Sequence, residues 1–119
     1  MRNAIIATAA IAAIAAAGQA AAHARLLSGS PKAGSTVAAP KALTLHYSEE
    51  LIAGSSSVKV TGPGGAAVAT GPLAVDAKTK RVVTVPFTTP PLAGAYKVAW
   101  HMKTEDGHET EGNFTFTVK

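Results

Sequence analysis

Tyr96-Lys97-Val98-Ala99-Trp100-His101-Met102-Lys103 decides the fold of this chain. Apolar side chains at Tyr96, Val98, Trp100 and Met102 alternate with Lys97, Ala99, His101 and Lys103, the period of two that marks a strand with one buried face. The same alternation recurs on both sides. Downstream, Phe114, Phe116 and Val118 alternate with Thr115, Thr117 and Lys119; upstream, Leu43, Leu45 and Tyr47 alternate with Thr44, His46 and Ser48. Val58 and Val60 form a fourth pattern, and Val83 and Val85 lie in a fifth, Val82 to Phe87. No helical periodicity follows residue 23. The turn signals between these runs are Ser30-Pro31, Ala53 to Ser57, Gly62-Pro63-Gly64-Gly65, Gly71-Pro72, Thr89-Pro90-Pro91 and Asp106-Gly107. Short strands separated by such turns predict an all-β, two-sheet sandwich of about seven strands, with a small closed barrel as the alternative. Trp100 and Met102 belong to its core by phase.

The first residues read differently. Arg2 precedes an apolar run from Ala4 to Ala17, broken only by Thr8, and Gly18-Gln19 and Ala20-Ala21-Ala22 follow, the order of a cleavable secretory leader. The run is shorter than the roughly 20 residues that cross a bilayer. Two segments are therefore expected: residues 1–22 as a signal peptide and residues 23–119 as one exported domain, with no membrane span in the mature chain. A domain of about 97 residues is large enough to hold a core without staples. The chain has no cysteine, so it excludes disulfides, thiolate metal sites and cysteine nucleophiles.

The formal charge is +4, yet the basic residues are scattered. Only Lys78-Thr79-Lys80-Arg81 forms a cluster, and it falls where a hairpin turn belongs, with no interleaved aromatic residue to stack on bases. A nucleic-acid partner is excluded on that ground. No Gly-x-Ser-x-Gly elbow supports a serine hydrolase. The acidic residues are more informative: four of the seven, Glu105, Asp106, Glu109 and Glu111, crowd around His108.

Cleavage after Ala22 would make His23 the first residue. Its amine and ring Nδ1 could then close a chelate on one ion. Asp106 and His108 are two apart, so in an extended segment they point to one side, with Gly107 allowing a bend. Together these give three nitrogens and one oxygen, a set without sulfur that suits Cu(II), with zinc as competitor. After removal of the leader Met102 is the only methionine, so a thioether Cu(I) site is not expected. His46 and His101 fall on the polar phase of their strands and read as surface residues.

At this point the chain resembles the CopC-type periplasmic copper-resistance proteins. The resemblance rests on His23-Ala24-Arg25-Leu26-Leu27 with Ser30-Pro31, Leu45-His46-Tyr47-Ser48-Glu49, Tyr96-Lys97-Val98-Ala99-Trp100, Asp106-Gly107-His108 and Gly112-Asn113-Phe114-Thr115-Phe116. It implies an immunoglobulin-like Greek-key sandwich. It also implies a periplasmic, non-enzymatic Cu(II) carrier or buffer in copper homeostasis and resistance, with one ion per mature chain on His23, Asp106 and His108 and Glu49 next to them. A CopD-type inner-membrane protein is the implied partner. The methionine-rich loop that some members carry is missing. A histidine-brace copper oxidase and a metal-free immunoglobulin-like interaction module are the competing expectations.

Overall fold

The computed structural model describes residues 24–119. The proposed leader, residues 1–22, and His23 lie outside the described residues. Among the described residues eight strands run in chain order: β1 (Leu26–Ser30), β2 (Thr36–Val37), β3 (Ala42–Tyr47), β4 (Ser57–Thr61), β5 (Ala74–Val75), β6 (Val82–Pro86), β7 (Gly94–Lys103) and β8 (Glu109–Val118). One sheet has the order β1-β3-β6-β5 and the other β2-β8-β7-β4. All pairings are antiparallel except the short β2–β8 contact. The result is an immunoglobulin-like Greek-key sandwich rather than a closed barrel. Among the described residues no helix is long and apolar enough to cross a membrane.

The alternating side chains build the core, because every second residue of a strand faces the opposite sheet. Leu43, Leu45 and Tyr47 from β3 and Val83 and Val85 from β6 meet Tyr96, Val98, Trp100 and Met102 from β7 and Phe114, Phe116 and Val118 from β8. Tyr47 and Trp100 join the two sheets edge to face, with ring centroids 5.2 Å apart. Such a pair adds about 0.5–1.5 kcal/mol to what burial alone contributes. Burial also pushes the Tyr47 phenol up from its ordinary pKa.

The hairpin of β7 and β8 is longer than its apolar pattern. Ten residue pairs run from Gly94↔Val118 to Lys103↔Glu109, so the polar half of β8, Glu109 to Asn113, is strand and not loop. Its inward positions are Thr110 and Gly112. The second of these faces Trp100, and a Cβ on Gly112 would lie 2.5 Å from the indole Cζ2. The indole occupies the space a side chain would need, which is why no apolar residue marks this stretch. Strands β1, β2 and β5 likewise carry no alternation. They are edge or two-residue strands recruited by neighbours.

At the start of β7, Tyr96 donates its hydroxyl to the Leu92 carbonyl at 2.6 Å, closing a corner of the kind found in immunoglobulin-like sandwiches. Its ring stacks on Phe116 at 5.4 Å. Gly94 beside it has φ +142°, and a Cβ there would lie 2.4 Å from Pro63 Cγ.

Candidate metal centre

Four segments converge at the opposite end of the β7–β8 hairpin. The hairpin turn itself, residues 104–108, is closed by Thr104 N–H to the His108 carbonyl at 2.9 Å and Gly107 N–H to the Thr104 carbonyl at 2.9 Å. The crossover from β3 to β4 is stitched to it: Glu105 N–H donates to the Glu50 carbonyl at 3.0 Å and Ile52 N–H to the Lys103 carbonyl at 2.9 Å. The turn before β6 holds the same crossover, through Leu51 N–H to the Lys80 carbonyl at 2.8 Å. The chain enters the described fold here too. Ala24 is fully buried, Arg25 N–H donates to Ser48 Oγ at 2.9 Å, and Ser48 N–H returns to the Arg25 carbonyl at 3.0 Å.

Asp106 and His108 meet inside this frame. Asp106 Oδ1 lies 3.1 Å from His108 Nδ1. They stand in a tight turn at the Asp106-Gly107 turn signal, and Gly107 between them takes φ +91°, a left-handed conformation that favours glycine. Two donors bound to one ion at roughly 2.1 Å sit about 3.0 Å apart at a right angle and about 3.4 Å apart at a tetrahedral angle. The observed 3.1 Å is the length of a hydrogen-bonded ion pair between the two side chains, and it is close to the right-angle spacing of two donors on one ion. The hydroxyl of Thr104 and then the His108 ring hold the Asp106 carboxyl down to about 2, so it is anionic at any physiological pH.

Thr104 is the residue that strand phase could have singled out. It continues the inward series of Tyr96, Val98, Trp100 and Met102, yet it is polar, and only 2% of it is exposed. Its hydroxyl donates to Asp106 Oδ1 and accepts the His108 N–H at 3.2 Å. A polar residue where the pattern calls for an apolar one was the signal.

Glu49, Glu50, Thr104, Glu105 and Asp106 line a cleft of about 200 Å³ at this end. Glu49 therefore shares a cleft with Asp106, and Ser48, its chain neighbour, is the residue that pins Arg25. One wall is partly neutralised by Lys80 Nζ, 3.4 Å from Glu105 Oε1. That pair is half exposed on both sides and contributes little to stability. The other two histidines are elsewhere. His46 is exposed on β3 opposite Ser28 and Val82, and His101 Nε2 on β7 lies 3.6 Å from Glu109 Oε1. Lys78 to Arg81 forms the β5–β6 turn, capped by Asp76, whose Oδ2 accepts from Thr79 N–H at 2.8 Å and Thr79 Oγ1 at 2.9 Å.

Among the described residues no group of three or more histidine, aspartate or glutamate side chains is arranged to hold an ion by itself. Asp106 and His108 supply two donors. His23, the remaining residue of the expected set, lies outside the described residues, one position before the buried Ala24.

Comparison with known proteins agrees with the fold. The chain is 39% identical over 99 residues to Protein YobA of Escherichia coli (strain K12), covering 82% of this chain and 80% of that protein. It is 39% identical over 105 residues to Copper resistance protein C of Escherichia coli, with 82% of each chain covered. The crystal structure of PcoC, described as a methionine-rich copper resistance protein from Escherichia coli, superposes with a TM-score of 0.75 at 38% identity, over 82% of this chain and 100% of that one. The CopC domain spans residues 26–119, from the first residue of β1 past the last residue of β8, and the chain therefore belongs to the CopC domain family.

Proposed function

We propose that this chain is an exported copper(II)-binding protein, a carrier or buffer in copper homeostasis and resistance, that holds one Cu(II) per mature chain on His23, Asp106 and His108. The observation that carries the proposal is the 3.1 Å approach of Asp106 Oδ1 to His108 Nδ1, at the end of the sandwich where the chain enters through Ala24 and Arg25. An anionic oxygen and an imidazole nitrogen at that spacing suit a borderline divalent ion. The names of the copper-resistance relatives support copper as that ion. Methionine content supports the oxidised state: PcoC is described as methionine-rich, whereas this chain has two methionines, Met1 and the fully buried Met102.

The leader pattern of residues 1–22 supports a periplasmic location and supplies the free amine of His23 on cleavage. Glu49, on the cleft wall with Asp106, would accept a hydrogen bond from the amine or an imidazole and orient the donor. A CopD-type inner-membrane protein is the proposed recipient. The role is binding and transfer rather than catalysis.

The test is a Cu(II) titration of the processed protein against a competing chelator. One equivalent is expected to bind tightly, His23→Ala is expected to lose most of the affinity, and a form that retains its leader is expected to bind weakly. Tight binding by either would overturn the ligand set. Amine and imidazole nitrogens must shed protons to bind a metal, so affinity should also fall between neutral pH and about pH 5. A flat profile would contradict nitrogen donors.

A further inference from the structure

We propose that Thr104 is a positioning residue for copper(II), a hydroxyl hub that holds the Asp106 carboxylate and the His108 backbone in the geometry an ion requires. The proposal rests on the reading of Asp106 and His108 as ligands. It concerns what fixes them before an ion arrives.

The Asp106 and His108 side chains are 61% and 45% exposed. Nothing lies within 4 Å of the Cβ position of Gly107 between them. An exposed turn of this kind would sample many side-chain rotamers, and each ordered rotamer costs free energy that binding must offset. Thr104 is the exception in the turn, because it is buried and its backbone is held by its N–H to the His108 carbonyl, by the Gly107 N–H to its carbonyl and by its bridge to Leu51 on the crossover.

A threonine hydroxyl has one proton to donate and lone pairs to accept with. Three polar atoms lie in reach of Oγ1: Asp106 Oδ1, the His108 N–H and the His108 carbonyl, the last two at 3.2 Å. The His108 carbonyl is already served by the Thr104 N–H at the shorter distance of 2.9 Å. The proton therefore goes to the carboxylate, where the bond is charge-assisted, and a lone pair takes the His108 N–H. One buried atom thus ties the side chain of one ligand to the main chain of the other. Asp106 Oδ1 carries the link onward to His108 Nδ1.

Thr104→Val tests this, since it keeps the shape and removes the hydroxyl; Thr104→Ser keeps the hydroxyl. With the exported, processed protein and Cu(II) alone as the probe, the Val variant should lose roughly 10–100-fold in affinity, the range for groups that orient metal ligands. Its Cu(II) electron paramagnetic resonance spectrum should shift. The Ser variant should restore affinity to within about threefold and the wild-type spectrum. A Val variant that matches wild type in both readouts overturns the role of Thr104. Absence of Cu(II) uptake by wild type, or full binding by His108→Ala, overturns the ligand set instead.

A second measurement does not depend on whether the Val variant folds. In the metal-free wild type, nuclear magnetic resonance should find the Thr104 hydroxyl proton in slow exchange and the His108 amide protected. A hydroxyl proton that exchanges at the solvent rate overturns the hub.

Discussion

The two ends of the β7–β8 hairpin are held by different physics. At the Gly94 end, shape decides: Tyr96 stacks on Phe116, its hydroxyl caps the Leu92 carbonyl, and Pro63 occupies the space beside a glycine with φ +142°. At the Thr104 end, polar atoms decide: a turn closed by its own hydrogen bonds presents a carboxylate and an imidazole to solvent. The polar end is a loop end positioned by a rigid scaffold, the kind of place where binding residues concentrate. The two ends should accordingly fail in different ways when altered.

The largest effect should separate them cleanly. His108→Ala removes a proposed donor and should lower Cu(II) affinity by more than the roughly 10–100-fold typical of residues that only orient ligands. The melting temperature of the metal-free protein should stay within about 2 °C, as for exposed substitutions. Isothermal titration and calorimetric melting check the two halves. A large melting shift with intact binding would reverse the assignment of the ends.

Next comes the mirror experiment. Gly94→Ala forces a Cβ to within 2.4 Å of Pro63 Cγ at a backbone angle that L residues avoid. Destabilisation of about 2–3 kcal/mol is expected, with a melting shift of roughly 4–8 °C per kcal/mol. Copper affinity should be unchanged. Loss of binding in a folded Gly94→Ala protein would show that the ends are coupled.

Tyr96→Phe is a smaller probe of the same end. It keeps the stack on Phe116 and deletes one hydrogen bond to the Leu92 carbonyl, so denaturant unfolding should register about 1 kcal/mol. No change in stability would mean that the ring, and not the hydroxyl, fixes that corner.

The smallest effect concerns acid. At the polar end, the Thr79 N–H and hydroxyl hold the Asp76 carboxyl below its ordinary value of 3.8. A folded pKa below the unfolded one means that the fold favours the carboxylate. The stabilisation is therefore present above 3.8 and lost as pH falls through the lower, folded value. The melting-temperature gap between wild type and Asp76→Asn should be constant above about pH 5 and narrow below the ordinary carboxylate range. A gap that persists unchanged into strong acid would show that the turn does not depend on the charge.

Legibility followed the same division. Alternation marked β3, β4, β6, β7 and the apolar half of β8, and it put Tyr47, Trp100 and Met102 in the core, where they are buried. It could not mark the polar half of β8, because the space inward of Gly112 is filled by Trp100 from the neighbouring strand. At the candidate site, the residue types Asp106 and His108 stood out from their spacing and chemistry. Asp106-Gly107 was legible as a turn signal too, but the left-handed Gly107 and the closed turn that bring the two side chains to 3.1 Å were not. Glu49 lines the same cleft as Asp106, a neighbourhood that only the folded crossover creates.

The sequence by itself determined which side chains face inward and which residues could serve as metal donors, because both depend on local chemistry and on the fixed period of a strand. Only the tertiary structure decided that the segment after Ala24, the crossover at Ser48 to Ile52, the turn at Lys80 and the turn at Thr104 share one end of the sandwich. Those meetings are set by pairings between strands distant in the chain and by the need of each buried polar group for a partner. Thr104 shows the difference most plainly. Its polarity at an inward position is written in the sequence, but its partners exist only once the turn has closed.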